Sequence, residues 1–374
     1  MDGTPASLAW KLSDRHICNL YVISFTFCGK GGADLFQDIL FPVTFGFALF
    51  LFGMKVMEAA LHAWAGPRLI GFLHQTTRTP WTGLLSSTLI TAVLQSSTAV
   101  TVMTIGLVNA RLLSYARTLG IILGGNIGTC LTTELLALNI AKLGVPMLIV
   151  SIGGWAAAVL GAEMLPDYIK RRMSWLLPLQ FGALALAGFS LVMIAIRFMQ
   201  SIGPALEERG VISWLLQHAT GSWLWGAFAG AILTAIIHSS AAVVAMTMGL
   251  AASGALPVEF GIAMVIGSNV GTCVTAVIAA IGGTRPGRFV AWSHVTLNVL
   301  GAALFLPLVP LLQAAATWLT GDLSAQIAHT QTIFNVVCSL LALPFCYLPI
   351  WSRLDRSGED DLASPLLPNP KVLK

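Results

Sequence analysis

Residues 91–109 read TAVLQSSTAVTVMTIGLVN, and residues 234–252 read TAIIHSSAAVVAMTMGLAA. Both stretches lack Asp, Glu, Lys and Arg, yet each has a polar cluster in its middle, at 95–98 and 238–240. Polar groups at the centre of an apolar segment are unusual for one simple membrane span, because hydrocarbon offers them no hydrogen-bond partners. The pattern fits a re-entrant hairpin followed by a helix, or a broken helix.

The resemblance between the two stretches extends into an internal repeat. A shift of 143 residues aligns 91–132 with 234–275 without a gap, and 17 of the 42 positions are identical. GGNIGTCLT at 124–132 thereby faces GSNVGTCVT at 267–275. Polar side chains in hydrocarbon are costly unless they have partners, so their retention in both copies indicates that one task is performed twice. The identical polar pairs include Ser96/Ser239, Ser97/Ser240, Thr104/Thr247, Asn126/Asn269, Thr129/Thr272 and Thr132/Thr275.

The composition indicates that lipid is the solvent of this chain. Hydrophobic residues make up 56% and charged residues 10%, whereas a soluble protein carries about 25% charged residues. The sequence therefore predicts an all-α polytopic membrane protein. The net charge of +4 forms no basic stripe, which argues against a nucleic-acid partner, and the six cysteines contain no CxxC pair that would indicate a zinc site.

Duplicated halves with interrupted helices are typical of secondary transporters, whose binding sites lie where the broken helices meet. We expect the serine clusters and the glycines of 124–128 and 267–271 to interrupt their helices, and we expect two inverted repeats with re-entrant hairpins. Inversion requires an odd number of membrane crossings between the two repeats, and the distribution of Lys and Arg does not establish that number. The predicted organisation is an N-terminal tail or interfacial segment at 1–38, repeat 1 at 39–200, repeat 2 at 201–351 and a disordered tail at 352–374.

The repeated polar residues are the candidate binding site. Hydroxyls at a helix break can replace the water shell of an oxyanion, and the N–H groups of a half-helix start add donors. Alternatively, these hydroxyls bond to carbonyls of their own helix. The candidate substrate-binding residues are Gln95, Ser96, Ser97, Thr98, His238, Ser239 and Ser240. The candidate sodium-binding residues are Asn126, Thr129, Thr132, Asn269, Thr272 and Thr275.

Neither repeat core contains a lysine or an arginine, so a buried dianion needs positive charge from another source. Co-bound sodium ions are the candidates for that source.

Four further residues are candidate accessory positions. Residues 291–307 align with 328–344 at a shift of 37, which matches Asn298 to Asn335, and His294 lies one helical turn before Asn298. Interhelical packing and a direct role in the site explain these residues equally well. Glu134, whose counterpart in the second repeat is Val277, is an acid in an apolar stretch. It is expected to hold an ion, to pair with an arginine or to lie at the membrane interface.

QSST at 95–98 with GGNIGT at 124–129, followed by HSSA at 238–241 with GSNVGT at 267–272, resembles the type II sodium–phosphate cotransporter family. The hallmark of that family is QSSS followed by GSNIGT, occurring twice, and the resemblance covers about residues 40–350. It implies a sodium-driven symporter of inorganic phosphate in the cell membrane. It further implies that the protein is not an enzyme, that it uses no cofactor besides the co-transported Na⁺, and that the serine motifs are hairpin tips around the substrate.

The second copy departs from the hallmark, because His238 replaces glutamine and Ala241 replaces the last serine. A sodium-coupled carrier of another oxyanion is therefore the main alternative. A channel and a non-transporting membrane regulator are further alternatives. An intramembrane serine hydrolase is disfavoured by the absence of a GxSxG motif. The sequence gives no indication of oligomeric state.

Overall fold

A computed structural model describes residues 36–138, 143–164, 175–202 and 222–351, with isolated positions at 205, 208, 353 and 354. All regular secondary structure in these residues is helical. The predicted tails at 1–38 and 352–374 lie outside the described residues, apart from a few residues at their inner ends.

The helices of the first half begin after a short π-helical turn at Phe36–Leu40. They are α1 (Phe41–Thr76), α2 (Pro80–Leu94), α3 (Ser97–Asn109), α4 (Tyr115–Gly128), α5 (Cys130–Ala137), α6 (Gly144–Met164) and α7 (Leu176–Gln200).

In the second half, the helices that carry the repeated sequence follow the same order as α2 to α5. They are α8 (Trp223–Ile237), α9 (Ser240–Ala252), α10 (Val258–Ala280), α11 (Arg285–Phe305), α12 (Val309–Leu319) and α13 (Leu323–Ala342). Helices α2 and α8 both have 15 residues, and α3 and α9 both have 13. The duplicated sequence therefore folds into duplicated elements, while the inversion of the two repeats stays a prediction.

Seven helical segments in the described part of the chain are long and apolar enough to cross a membrane. Helices α2, α3, α8 and α9 are apolar but shorter than a full span. Large apolar side chains cover the outer surface, and only 11% of the most apolar 18-residue stretch of α6 is buried inside the protein. A surface of this kind requires a lipid environment, so the chain is an all-α polytopic membrane protein, as the composition predicts.

The serine clusters are the points at which the short helices end and begin. Gln95 ends α2 in the left-handed region, at φ 56°, and Ser96 continues in extended conformation at φ −148°. The Ser96 hydroxyl accepts a hydrogen bond from the Ala99 N–H (3.3 Å) and so caps α3. His238 and Ser239 repeat this geometry between α8 and α9, with φ values of 58° and −149°. Both breaks therefore occur where the polar clusters predict them.

The glycine motifs, in contrast, interrupt their helices less than expected: α4 ends at Gly128, but only Thr129, at φ −66° and ψ −24°, separates it from α5. Helix α10 runs without a break through Gly267, and its equivalent Gly124 lies within α4. A Cβ atom added to Gly124 would lie 2.1 Å from the Leu84 carbonyl oxygen, and one added to Gly267 would lie 1.8 Å from that of Ala227. The glycines therefore let α4 approach α2, and α10 approach α8, closely enough for backbone contact.

We expect Gly124→Ala to lower the thermal stability of the detergent-solubilised protein, because overpacking of this kind costs about 1–3 kcal/mol. Gly106→Ala is the matched control, since Gly106 also lies within a helix but has no atom within 4 Å of an added Cβ. Melting can be followed by size-exclusion chromatography after heating. Equal melting temperatures for the two variants would contradict the close-packing role.

Candidate functional site

The two helix breaks face one cavity of about 610 Å³. Residues 95–99 of the first repeat and 237–241 of the second line it, and Thr129 and Thr272 contribute to the same lining. The structure thus brings together every candidate substrate-binding residue and two of the six candidate sodium-binding residues. Serine clusters that lie 143 residues apart in sequence meet at a single site.

The serines of the two motifs differ in how far they are covered by protein. Ser96 and Ser240 are buried, whereas Ser97 and Ser239 are half-buried. The Ser96 and Ser239 hydroxyls each accept one N–H as a helix cap. A capping hydroxyl keeps its own hydrogen for donation. These side chains can therefore donate to an oxygen atom of a ligand without giving up their structural bonds.

Helices α3 and α9 both begin at the cavity wall, at Ser97 and Ser240. The first N–H groups of a helix lack carbonyl partners within the helix, and the helix dipole adds partial positive charge at this end. Two such ends at one cavity favour an anion between the repeats.

Gln95 and His238 occupy equivalent positions but have different partners. The Gln95 side-chain oxygen accepts from the Thr132 hydroxyl (2.5 Å), and its amide donates to the Ala92 carbonyl. The equivalent threonine, Thr275, donates instead to the Thr272 carbonyl (2.7 Å). The His238 ring is exposed and forms no hydrogen bond within the described part of the chain. The side chain of Gln95 is thus fixed by bonds to other residues of the first repeat, whereas the imidazole of His238 has no such bond in the described part of the chain.

The two threonines of the cavity, Thr129 and Thr272, have matching bonds. Their hydroxyls donate to the carbonyl oxygens of Asn126 (2.7 Å) and Asn269 (2.6 Å). This is the intrahelical bonding that the sequence left open as an alternative. Because each hydroxyl is used only as a donor there, its oxygen lone pairs remain able to coordinate a cation.

Asn126 and Asn269 do not line the cavity that the two serine motifs share. The Asn126 amide donates to the Asn298 side-chain oxygen (2.8 Å), and Asn269 makes the same bond to Asn335 (2.5 Å). These pairs join α4 to α11 and α10 to α13. Two residues of the candidate sodium site and two candidate accessory residues therefore act as interhelical partners in this structure.

Two cysteines extend this network in the same matched way. The Asn298 amide lies 3.2 Å from the Cys273 sulfur, and the Asn335 amide lies 3.3 Å from that of Cys130. His294, also a candidate accessory residue, is buried on α11, and its Nδ1 has no hydrogen-bond partner within the described residues. Of the two explanations left open for these residues, the observed contacts are those of helix packing.

Glu134 lies on α5 and contacts α13. Its carboxylate is 2.9 Å from His329 Nδ1 and accepts a hydrogen bond from the Thr332 hydroxyl. The partner in the described part of the chain is thus a histidine, and not the arginine that was one of the three alternatives for Glu134. Val277 stands at the equivalent position of the second repeat, and the cluster is therefore confined to one half of the molecule.

Three titratable residues of the cavity were not identified from the sequence, because they lie outside the repeated motifs. Lys55, Glu58 and His62 of α1 line the same cavity as the serine clusters. The signal for them was present: spacings of three and four residues place all three on one face of an otherwise apolar helix. A lysine therefore does face the candidate site, although neither repeat core contains one.

Comparison with known proteins identifies relatives along most of the chain. It is 32% identical to "Uncharacterized protein YqeW" of Bacillus subtilis over 83% of this chain and 95% of that protein. It is 26% identical to "Putative inorganic phosphate export protein YjbB" of Escherichia coli over 80% of this chain but only 52% of that protein. It is 30% identical to rabbit (Oryctolagus cuniculus) "Sodium-dependent phosphate transport protein 2A" over 32% of this chain and 20% of that protein. No solved structure matches the chain.

The sequence profile of one family matches both halves of the chain, at residues 49–201 and 205–338. The two matches cover the helix breaks, the glycine motifs and the paired asparagines described above. This chain belongs to the Na⁺/Pi-cotransporter family.

Proposed function

We propose that the protein is a sodium-coupled symporter of inorganic phosphate that works by alternating access. The observation that carries the proposal is the single cavity into which the serine motifs of both repeats project. A site at the junction of two repeats can open to either side when one repeat rocks against the other.

Phosphate suits the chemistry of this cavity. Its oxygens accept hydrogen bonds, and the lining offers hydroxyl donors from Ser96, Ser97, Ser239 and Ser240 together with two helix N-termini. Gln95 serves in this proposal as a positioning residue, since its side chain is held by Thr132. The rings of His238 and His62 both line the cavity, and either can donate to the substrate without breaking a described bond.

Sodium ions contribute charge neutralisation and driving force in this proposal. Thr129 and Thr272 are the preferred sodium ligands because they line the cavity, and nearby backbone carbonyls at the helix breaks suit the same ion. A tenfold sodium gradient supplies about 1.4 kcal/mol per ion. Two ions with a divalent phosphate would thus support roughly 100-fold accumulation without net movement of charge.

The names of two relatives support phosphate as the substrate, but they differ in the direction of transport that they suggest. Rabbit protein 2A is named for sodium-dependent phosphate transport, and YjbB is named for phosphate export. We place this protein in the plasma membrane as a sodium-driven importer, with phosphate export as the second candidate.

Flux measurements on purified protein in liposomes test the proposal. An inward sodium gradient should drive accumulation of labelled phosphate, an equal potassium gradient should not, and excess sulfate should leave the uptake unchanged. Suppression of uptake by sulfate would instead favour a carrier of another oxyanion. Liposomes preloaded with phosphate distinguish the two directions of transport. Phosphate efflux that does not depend on the sodium gradient would favour export.

We expect Ser96→Ala and Ser239→Ala each to lower the initial rate of phosphate uptake by at least about tenfold, because each removes a hydrogen bond to a charged ligand. Ser190→Ala is the matched control. The Ser190 hydroxyl is buried in α7, away from the cavity, and donates to the Leu186 carbonyl (2.7 Å). Full activity of either cavity variant, at equal protein in the liposomes, would refute the substrate assignment.

For the sodium site, we expect Thr129→Val and Thr272→Val to raise the sodium concentration required for half-maximal uptake by several-fold. Each change removes an oxygen ligand while it preserves side-chain shape. Thr104→Val is the control, because the buried Thr104 hydroxyl also bonds within its own helix (2.7 Å to Val100) but lies outside the cavity lining. An unchanged sodium dependence in both cavity variants would remove these threonines from the sodium site.

A further inference from the structure

Lys55 and Glu58 form an ion pair deep inside an apolar helix. Their charged atoms are 2.7 Å apart, and both residues lie within the candidate membrane span Phe36–Gly66. Lys55 is 14 residues, or about 21 Å, beyond the first residue of α1 and about 30 Å before its last residue. Ionisable groups at such a depth are expensive unless they face a polar cavity, and they commonly mark the path of a transported ion.

The orientation of α1 points this pair at the transport cavity. Leu51, Met54, Lys55, Glu58 and His62 follow one helical face, and all five line the cavity. The Lys55 side chain is 75% exposed, whereas that of Glu58 is 26% exposed. The ammonium group is thus bound to Glu58, while most of the Lys55 side chain is left uncovered by protein.

Lys55 is important because few charged side chains line the cavity. Among the described lining residues, Lys55 is the only lysine or arginine, and Glu58 is the only acid. Hydroxyls and helix ends supply partial charges, but phosphate carries a full negative charge or two. A lysine ammonium is a compact point charge that binds phosphate well.

We propose that Lys55 is a substrate-binding residue of the transport cavity and that Glu58 holds its ammonium group while the cavity is empty. Phosphate entering the cavity takes the place of the Glu58 carboxylate as the partner of Lys55. Glu58 then competes for the lysine and favours release, which a transporter needs as much as binding. This inference rests on the proposed function, since it assigns a further ligand for the same substrate.

A purely structural role for the pair leads to a different expectation. An exposed ion pair three residues apart on a helix contributes little to stability. Its loss would leave the phosphate dependence of transport unchanged, so the substrate concentration at half-maximal uptake separates the two explanations.

The experiment measures sodium-driven uptake of labelled phosphate over a range of phosphate concentrations, using the full chain in liposomes. Lys55→Gln removes the charge, Lys55→Arg keeps it, and Glu58→Gln removes the competitor. Arg68→Gln is the matched control, because Arg68 is an exposed cation on the same helix but lies outside the cavity lining.

We expect Lys55→Gln to raise the half-saturating phosphate concentration about 10- to 100-fold while the rate at saturation changes little, as for loss of a hydrogen bond to a charged group. Lys55→Arg should recover most of the affinity, and Glu58→Gln should lower the half-saturating concentration. A value for Lys55→Gln within twofold of wild type, or a shift equal to that of Arg68→Gln, would overturn the inference. Absence of sodium-driven uptake in the wild type would instead overturn the proposed function, and the inference with it.

A second measurement covers the case in which Lys55→Gln fails to fold. Wild-type protein in detergent is treated with an amine-acylating reagent, with sodium and with or without inorganic phosphate, and the modified lysines are identified by mass spectrometry. Protection of Lys55 by phosphate, with unchanged labelling of the other lysines, supports the inference. Equal labelling of Lys55 with and without phosphate, at concentrations that saturate transport, refutes it.

Discussion

A helix that stops inside a membrane must satisfy the backbone groups that it leaves open, because lipid offers them no hydrogen bonds. This chain meets that constraint twice with the same local geometry: one residue in left-handed conformation ends a helix, and the serine that follows it caps the next. The remaining open groups of the first turns face a cavity, where water or a ligand can satisfy them. The break thus creates both the need for a polar cavity and the donors that make this cavity suitable for an anion.

Close helix packing holds these breaks in position. The short helices α2 and α8 cannot cross a membrane alone, and each lies against a segment long enough to do so, Tyr115–Ala137 or Val258–Ala280, whose glycines permit backbone contact. Those segments are in turn joined to α11 and α13 by the two asparagine pairs. In this structure the glycine motif and its asparagine therefore support the site, while the threonine that follows them reaches it.

The two repeats share their framework but differ in the side chains that bear on the substrate. One motif presents a glutamine fixed by Thr132, whereas the other presents the free ring of His238. The Glu134–His329 contact has no equivalent in the second half. Because the cavity lies between the repeats, such differences give its two walls different chemistry around one substrate. The α1 face with Lys55 adds a third wall that belongs to neither repeated motif.

The sequence by itself determined the solvent of the protein, the duplication and the position of both breaks. These properties depend on composition and local pattern, since a serine cluster in an uncharged apolar stretch has few alternatives to a cap at a helix break. The same reasoning failed for the glycines of the second repeat, where α10 is unbroken, because a local pattern cannot distinguish a glycine that ends a helix from one that admits a neighbouring backbone. It also left three alternatives open for Glu134 and did not include a histidine partner among them.

Only the tertiary structure decided which polar residues meet. Asn126 bonds to a residue 172 positions away, and Glu134 to one 195 positions away, so no local spacing could reveal either pair. The place of Lys55 in the cavity depends on the rotation of α1 about its axis, which the packing of the whole bundle sets. Sequence identified the groups that are costly to bury, and the fold determined which of them pair with each other and which remain available to a ligand.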